Sequence, residues 1–136
     1  MGVWKRPVFG ILTGYVFLLF VETIIVRQPF IGTHFRPKLF WSWSEWNVQK
    51  QQILTNVVMF IPVGIMAVQL WKWKGIFASI GLSCIIEALQ FLTSRGLCEF
   101  DDILHNVIGS IIGIGVMMMV RKIIKAVGEK ENDGTS

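Results

Sequence analysis

The sequence lacks the short motifs by which nucleotide, metal and hydrolytic sites are usually recognised. It has no P-loop, no dinucleotide-binding glycine fingerprint, no zinc-ligand spacing, no HExxH or GxSxG motif and no internal repeat. Of its two cysteines, Cys84 falls deep in an apolar run and Cys98 in a loop, so no obvious disulfide is expected. The longest connection, residues 27–52, is too short to fold alone. These absences leave room for one domain and identify no reaction.

Long apolar runs dominate the chain instead. Hydrophobic residues make up 53% of the 136 positions, and the mean hydropathy is +0.58. Crossing ~30 Å of hydrocarbon takes roughly 20 helical residues. A soluble bundle is disfavoured because four helices that are apolar on every side leave no polar face for water. The sequence therefore predicts an all-α integral membrane bundle of four transmembrane helices, over residues 8–26, 53–71, 75–92 and 103–120.

These spans form one predicted membrane domain over residues 1–127, followed by a polar, disordered tail over residues 128–136. The first run follows Lys5 and Arg6, as in an export signal. No small-x-small cleavage site follows it, and Glu22 interrupts it, so an uncleaved first helix is favoured over a removed signal peptide.

Lysine and arginine predict the orientation. With four spans, eight of the 13 basic residues fall on the side of the two termini and the middle loop, and five fall on the other side. Because the short basic side is normally cytoplasmic, both termini are predicted to be inside. The net charge of +4 then reflects topology and anionic lipid headgroups, and no nucleic-acid partner is expected.

Six tryptophans are predicted to mark the two membrane interfaces. Trp41, Trp43 and Trp46 precede the second span on the outer side. The others lie at the inner ends of the spans: Trp4, Trp71 and Trp73. An interfacial anchor is the favoured interpretation of the outer group, and a stacking platform for sugars or bases is the alternative.

Polar residues interrupt each apolar run towards its predicted outer end. An ionisable group in hydrocarbon costs about 2.5 to 3.5 kcal/mol even on the more lenient scale, so such residues usually mark partners, cavities or function. We expect them to meet at one depth beneath the outer headgroups. Besides Glu22, the candidates are Asn56, Glu87, Gln90, Arg95, Asp101, Asp102, His105 and Asn106.

Helical spacing places several of these residues on shared faces. Asp102, Asn106, Gly109 and Gly113 form one stripe on the fourth span, whose glycines predict a close helix contact. The polar members of such stripes serve a ligand site or simply hold helices together by hydrogen bonds, and both interpretations stay open. The two aspartates also suit a helix N-terminus.

Two further features make specific predictions. Arg95 is the nearest candidate to neutralise an intramembrane acid, so we expect it to pair with Glu87 or with Asp102. Pro62 removes a backbone hydrogen bond inside the second span, and with Gly64 it serves helix packing or opens a pocket.

The ordered series of residues between Asn56 and Gly113 resembles the motif series of VanZ-like membrane proteins. The resemblance lies in Asn56, Phe60, Pro62 and Gly64, then Glu87 and Gln90, then the segment 95–102, and then His105, Asn106 and Gly109. It implies a multi-pass protein of the bacterial plasma membrane. The namesake of the family confers low-level resistance to teicoplanin, and similar proteins are associated with lipoglycopeptide resistance, but no reaction is implied.

Three hypotheses for function follow. The favoured one is a non-enzymatic membrane protein, without metal or cofactor, that binds or excludes an amphipathic or lipid-linked ligand at the outer leaflet and lowers the action of a lipid-tailed glycopeptide. The second is an intramembrane enzyme on a lipid-linked envelope substrate, in which Glu87, Asp101, Asp102 and His105 perform acid/base chemistry or hold a divalent cation. The third is a small transporter or assembly subunit, which four short spans would form as a homo-oligomer.

Overall fold

The computed structural model describes residues 5–29, 31, 35–36 and 38–133, and the side chains only as far as residue 129. Helices account for most of this chain. A π-helical turn over Val21–Ile25 extends the first helix, and a 3₁₀ turn over Lys72–Lys74 joins the third helix to the fourth. The helices are α1 (Lys5–Phe20), α2 (Trp41–Ser44), α3 (Trp46–Trp71), α4 (Gly75–Thr93) and α5 (Phe100–Asp133), and the strands are β1 (Phe35–Arg36) and β2 (Cys98–Glu99).

Helices α3 and α4 form an antiparallel hairpin. The backbone reverses at Lys72, whose φ of 56° lies in the left-handed region, and Gly75 then packs against the backbone of Ala67. Further along the hairpin, Phe60 of α3 and Ile86 of α4 belong to one apolar cluster. The start of α3 therefore lies beside the end of α4. We call this end of the bundle the polar end.

Helix α5 runs parallel to α3, and glycines bring the two helices into backbone contact. A Cβ atom at Gly109 would overlap the carbonyl oxygen of Val57, and one at Gly113 would overlap that of Ile61. In the other direction, a Cβ atom at Gly64 would overlap the carbonyl oxygen of Ser110. Glycine is needed at these positions because any side chain would push the helices apart.

Helix α1 packs along the hairpin and connects to it by hydrogen bonds to backbone carbonyls. Tyr15 donates from its hydroxyl to the carbonyl of Met59 at 2.8 Å. In the π-helical turn, the carbonyl of Thr23 accepts from the amide nitrogen of Gln90 at 3.2 Å. A π-helical turn leaves carbonyls free of the regular i→i+4 pattern, so these oxygens are available to another helix.

The predicted apolar runs correspond to the helices, although the bounds differ. Three helical segments are long and apolar enough to cross a membrane: Lys5–Ile25, Trp46–Thr93 and Phe100–Glu129. The second of these contains both α3 and α4, the predicted second and third spans. Trp4, one of the predicted inner anchors, lies outside the described residues.

Two segments that the sequence analysis treated as irregular, the outer loop and the tail, contain regular structure. Helix α3 begins at Trp46, inside the predicted outer loop, which also contains α2 and β1. Helix α5 continues to Asp133, so residues 128–133 of the predicted tail are helical. Extending an existing helix needs no new nucleation, and an ion pair between Lys125 Nζ and Glu129 Oε1 at 3.6 Å adds to that extension.

We predict that Gly109→Ala destabilises the protein, because its methyl group has no room beside the carbonyl of Val57. Overpacking of this kind costs about 1–3 kcal/mol, which thermal unfolding of the purified protein in detergent measures. The matched control is Gly115→Ala on the same helix, where nothing lies within 4 Å of the new methyl group. If the two variants unfold at the same temperature, α3 and α5 are not in backbone contact at Gly109.

Candidate functional site

Five of the eight predicted site residues line one small cavity at the polar end. The cavity has a volume of about 10 Å³, close to the space of a single water molecule. Thr23, Arg27 and apolar side chains complete its wall. The five residues come from α3, α4 and α5: Asn56, Glu87, Gln90, Asp102 and Asn106.

Glu87 is held by the chain that precedes α5. Its Oε2 accepts a hydrogen bond from the backbone N–H of Glu99 at 3.0 Å, and only 2% of its surface is exposed. Gln90, one turn further along α4, bonds to Thr23, but its Oε1 atom has no partner among the described residues. The Nδ2 atom of Asn56 is likewise unpaired there. A buried polar atom without a hydrogen-bond partner costs free energy, so we expect both atoms to bind water or a ligand group in this cavity.

Two more pairs of hydrogen-bonded side chains join the three helices. The side-chain amide of Gln52 in α3 donates to both carboxylate oxygens of Asp102, at 3.1 and 3.0 Å. Asn106 Nδ2 donates to the hydroxyl of Ser83 in α4 at 2.9 Å. The polar residues of the stripe predicted on the fourth span therefore bond to both neighbouring helices, at the same end of the bundle as the cavity.

Asp101 binds a different segment from the one that Asp102 binds. Its carboxylate accepts from the backbone N–H of Phe40 at 2.6 Å and from both the backbone N–H and the hydroxyl of Ser42. These donors lie at the beginning of α2, so Asp101 satisfies N–H groups that this short helix leaves free. Asp101 thus attaches the loop before α3 to the first turn of α5.

His105 also binds this loop. Trp43 donates from its indole Nε1 to His105 Nε2 at 2.9 Å, so Nε2 is the accepting nitrogen and the ring proton of the neutral imidazole is on Nδ1. Nδ1 lies 3.9 Å from Asp102 Oδ1, too far for a hydrogen bond. Neither Asp101 nor His105 lines the small cavity. Within the described part of the chain, no three His, Cys, Asp or Glu side chains are placed to hold a metal ion.

The predicted pairing of Arg95 with Glu87 or Asp102 is wrong. The Nη1 atom of Arg95 donates to the carbonyl oxygen of Ile25 at 2.7 Å. Because the last turn of α4 is followed by the left-handed residue Ser94, the chain turns towards α1 before Arg95 can reach either acid. Glu22 also does not meet the other polar residues, since it is exposed on the π-helical turn while Thr23 and Arg27 face α4.

A larger polar cleft lies beside the small cavity, with a volume of about 400 Å³. We call it the arginine cleft, because Arg27, Arg36 and Arg95 line it together with Trp41, Gln52 and Glu99. The guanidinium group of Arg36 stacks 4.0 Å from the centre of the Trp41 ring, and its Nη1 atom lies 3.6 Å from Glu99 Oε1. Arg27 lines both the cleft and the small cavity, so the two spaces adjoin.

Glu99 connects most of these groups and was not among the predicted site residues. It is 2% exposed, and burial together with the nearby charge of Asp102 raises the pKa of its carboxyl group to about 7. Arg36 and Gln52 oppose this rise because they stabilise the charged form. With this pKa, the Glu99 carboxyl group titrates near neutral pH.

Sequence reasoning missed the residues that come from the predicted outer loop, residues 27–52. Ser42, Gln52, Arg27 and Arg36 lie outside the predicted spans, where a polar residue is unremarkable. One signal was available, because Glu99 lies within the segment that resembles the VanZ-like motif series. Trp41 stacks with Arg36 and Trp43 donates a hydrogen bond to His105, so both indole rings make specific contacts within the protein.

The apolar helices and the buried polar end define a multi-pass membrane protein rather than a soluble bundle. The family model described as VanZ/LLP1 matches residues 8–121, a range that includes all the residues lining the small cavity. The chain therefore belongs to the VanZ/LLP1 family, and the resemblance found in its sequence is confirmed. Comparison with curated proteins and with solved structures finds no match to this chain.

We predict that stability falls as the pH rises from about 4.5 to about 7. The pKa of Glu99 is higher in the folded protein than its ordinary value of 4.5, so its proton favours the folded state below pH 4.5, and this stabilisation is lost as the pH rises through 7. The slope from this group is at most about 1.4 kcal/mol per pH unit. Unfolding in detergent at several pH values measures it, with Glu99→Gln as the variant that removes this component and Glu129→Gln as the exposed control. An identical pH profile for Glu99→Gln and the native chain would contradict the assignment.

Proposed function

We propose that this protein is a four-span protein of the bacterial plasma membrane, with both termini in the cytoplasm. The antiparallel hairpin of α3 and α4 supports four spans, because the helical segment Trp46–Thr93 reverses direction at Lys72. The excess of lysine and arginine at the end away from the polar residues supports the orientation. In this arrangement the polar end lies at the outer leaflet.

The proposed function is to lower the action of glycopeptide antibiotics that carry a lipid tail, such as teicoplanin, through this polar end. The observation that carries the proposal is the cavity that joins five polar side chains from three helices beside a cleft with three arginines. Membership of the VanZ/LLP1 family supports the link to antibiotics. The site acts by binding an amphipathic group, since Asp101 and His105 are engaged in holding the loop before α3.

The test is expression in a susceptible Gram-positive strain, followed by measurement of the minimum inhibitory concentrations of teicoplanin and vancomycin. We expect a few-fold rise for teicoplanin and a smaller one for vancomycin, which has no lipid tail. Asp102→Asn should abolish the protection, because the charge and one acceptor of the polar end are lost. Glu22→Gln is the matched control, an acid at the same end that is exposed and outside the cavity.

Equal susceptibility with and without the protein, at confirmed membrane expression, would reject the proposed function. Equal protection by Asp102→Asn and the native chain, at equal protein levels, would reject the polar end as the site.

A further inference from the structure

The residues that line the arginine cleft carry a net positive charge. Among the described residues that line the cleft Glu99 is the one acid, so the net charge of this lining is +2 with Glu99 ionised and +3 with Glu99 protonated. Arg27 makes no hydrogen bond or ion pair within the described part of the chain, although it also lines the small cavity that contains Glu87 and Asp102. A cluster of guanidinium groups is a common means by which proteins bind phosphate.

Two of the three arginines are held in place before any ligand arrives. Arg36 is fixed between Trp41 and Glu99, and Arg95 is fixed by its bond to the carbonyl of Ile25. Gly96 has a φ of 152°, and a Cβ atom there would lie 3.1 Å from Arg27 Nη1, so glycine leaves room for this guanidinium group. Groups that are already oriented lose less entropy when they bind a ligand.

The chemistry of the cleft fits a phosphate group better than a carboxylate. A carboxylate has two oxygens, which one guanidinium fork is able to occupy. A terminal phosphate offers three oxygens and up to two negative charges, so it accepts hydrogen bonds from several arginines at once. The volume of about 400 Å³ is within the range of small-ligand sites and exceeds what a bare phosphate needs.

The strand pair β1–β2 separates this cleft from an apolar groove. The two strands are parallel, with Arg36 beside Glu99 and Phe35 beside Cys98. Because successive strand side chains point to opposite faces, Arg36 and Glu99 line the cleft, while Phe35 and Cys98 line a groove of about 470 Å³ whose wall is otherwise made of Ala88, Phe91 and Leu92. A charged site and an apolar groove thus share one thin wall.

We propose that the arginine cleft binds the phosphate headgroup of a lipid, whose chain lies in the adjoining apolar groove. From the proposed function this inference takes only the position of the polar end at the outer leaflet. It names the ligand class of that end, an amphiphile with a terminal phosphate or diphosphate. The apolar groove on the other side of β1–β2 favours a lipid over a free phosphate ion, because a free ion has no chain to place there.

The test is binding of dihexanoyl phosphatidic acid to the purified full chain in a neutral detergent, measured by titration calorimetry. Dihexanoyl phosphatidylcholine, which lacks a terminal phosphate, and inorganic pyrophosphate, which lacks a chain, are titrated separately. We expect phosphatidic acid to bind most tightly and its affinity to fall at high ionic strength. Pyrophosphate should bind more weakly.

Arg27→Gln should weaken phosphatidic acid binding about tenfold, since it removes a charged donor without breaking a contact seen among the described residues. Lys50→Gln is the matched control, because it removes one exposed charge from the first turns of α3 without altering the cleft lining. Ala88→Trp should weaken binding of the lipid and leave that of pyrophosphate unchanged, because Ala88 lines only the groove. The unfolding temperature of each variant confirms that it is folded.

Equal binding of phosphatidic acid and phosphatidylcholine would overturn the phosphate site, as would equal weakening by Arg27→Gln and Lys50→Gln. Equal affinity for pyrophosphate and phosphatidic acid, with no effect of Ala88→Trp, would overturn the lipid assignment. Since binding is measured without antibiotic, a chain that binds phosphatidic acid but gives no protection to cells rejects the proposed function alone.

Discussion

Buried polar side chains at one end of an apolar bundle must find their partners within the protein, and this constraint determines how the helices of this chain meet. Glu87, Glu99, Asp101 and Asp102 are each at most 3% exposed. An unpaired acid in such surroundings costs several kcal/mol. Each of the four accepts a hydrogen bond from another segment, so the acids tie α3, α4, α5 and the loop before α3 to one another.

Close helix packing makes these polar contacts geometrically accessible. Gly109 and Gly113 allow the backbone of α5 to touch that of α3. The same close approach places Asp102 within hydrogen-bonding distance of Gln52 at the polar end. Loss of the glycine contact is therefore expected to disturb the polar end as well as the apolar part of the bundle. Packing and polar chemistry are two consequences of one arrangement of helices.

The sequence predicted the helices and much of the cavity because both depend on local patterns. Long apolar runs identify the segments, and the spacing of Asp102 and Asn106 or of Glu87 and Gln90 predicts which side chains share a face. What could not be predicted depends on contacts between distant segments. Asp101 binds Ser42 across 59 positions, and Arg95 bonds to Ile25 across 70 positions, where no local pattern indicates a partner.

The pairing of Arg95 illustrates this limit. Proximity along the chain favoured Glu87 or Asp102, but Ser94 turns the chain towards α1. The arginine that forms an ion pair with a buried acid is instead Arg36, from the loop before α3, which pairs with Glu99. The strand pair that brings Arg36 to Glu99 has two residues in each strand, too few for an alternating pattern to be recognised.

Disulfide cross-linking between α4 and α5 tests most directly whether the polar residues of separate helices meet. In a chain with Cys84 and Cys98 replaced by serine, Ser83→Cys and Asn106→Cys are combined, and oxidation in membranes is followed by mass spectrometry. The account predicts a rapid disulfide within one chain, because Asn106 Nδ2 lies 2.9 Å from the Ser83 hydroxyl. The pair Gly81→Cys and Gly115→Cys, on exposed faces of the same helices, should not react. Equal reaction of both pairs, or none in the first, would contradict the convergence of polar groups.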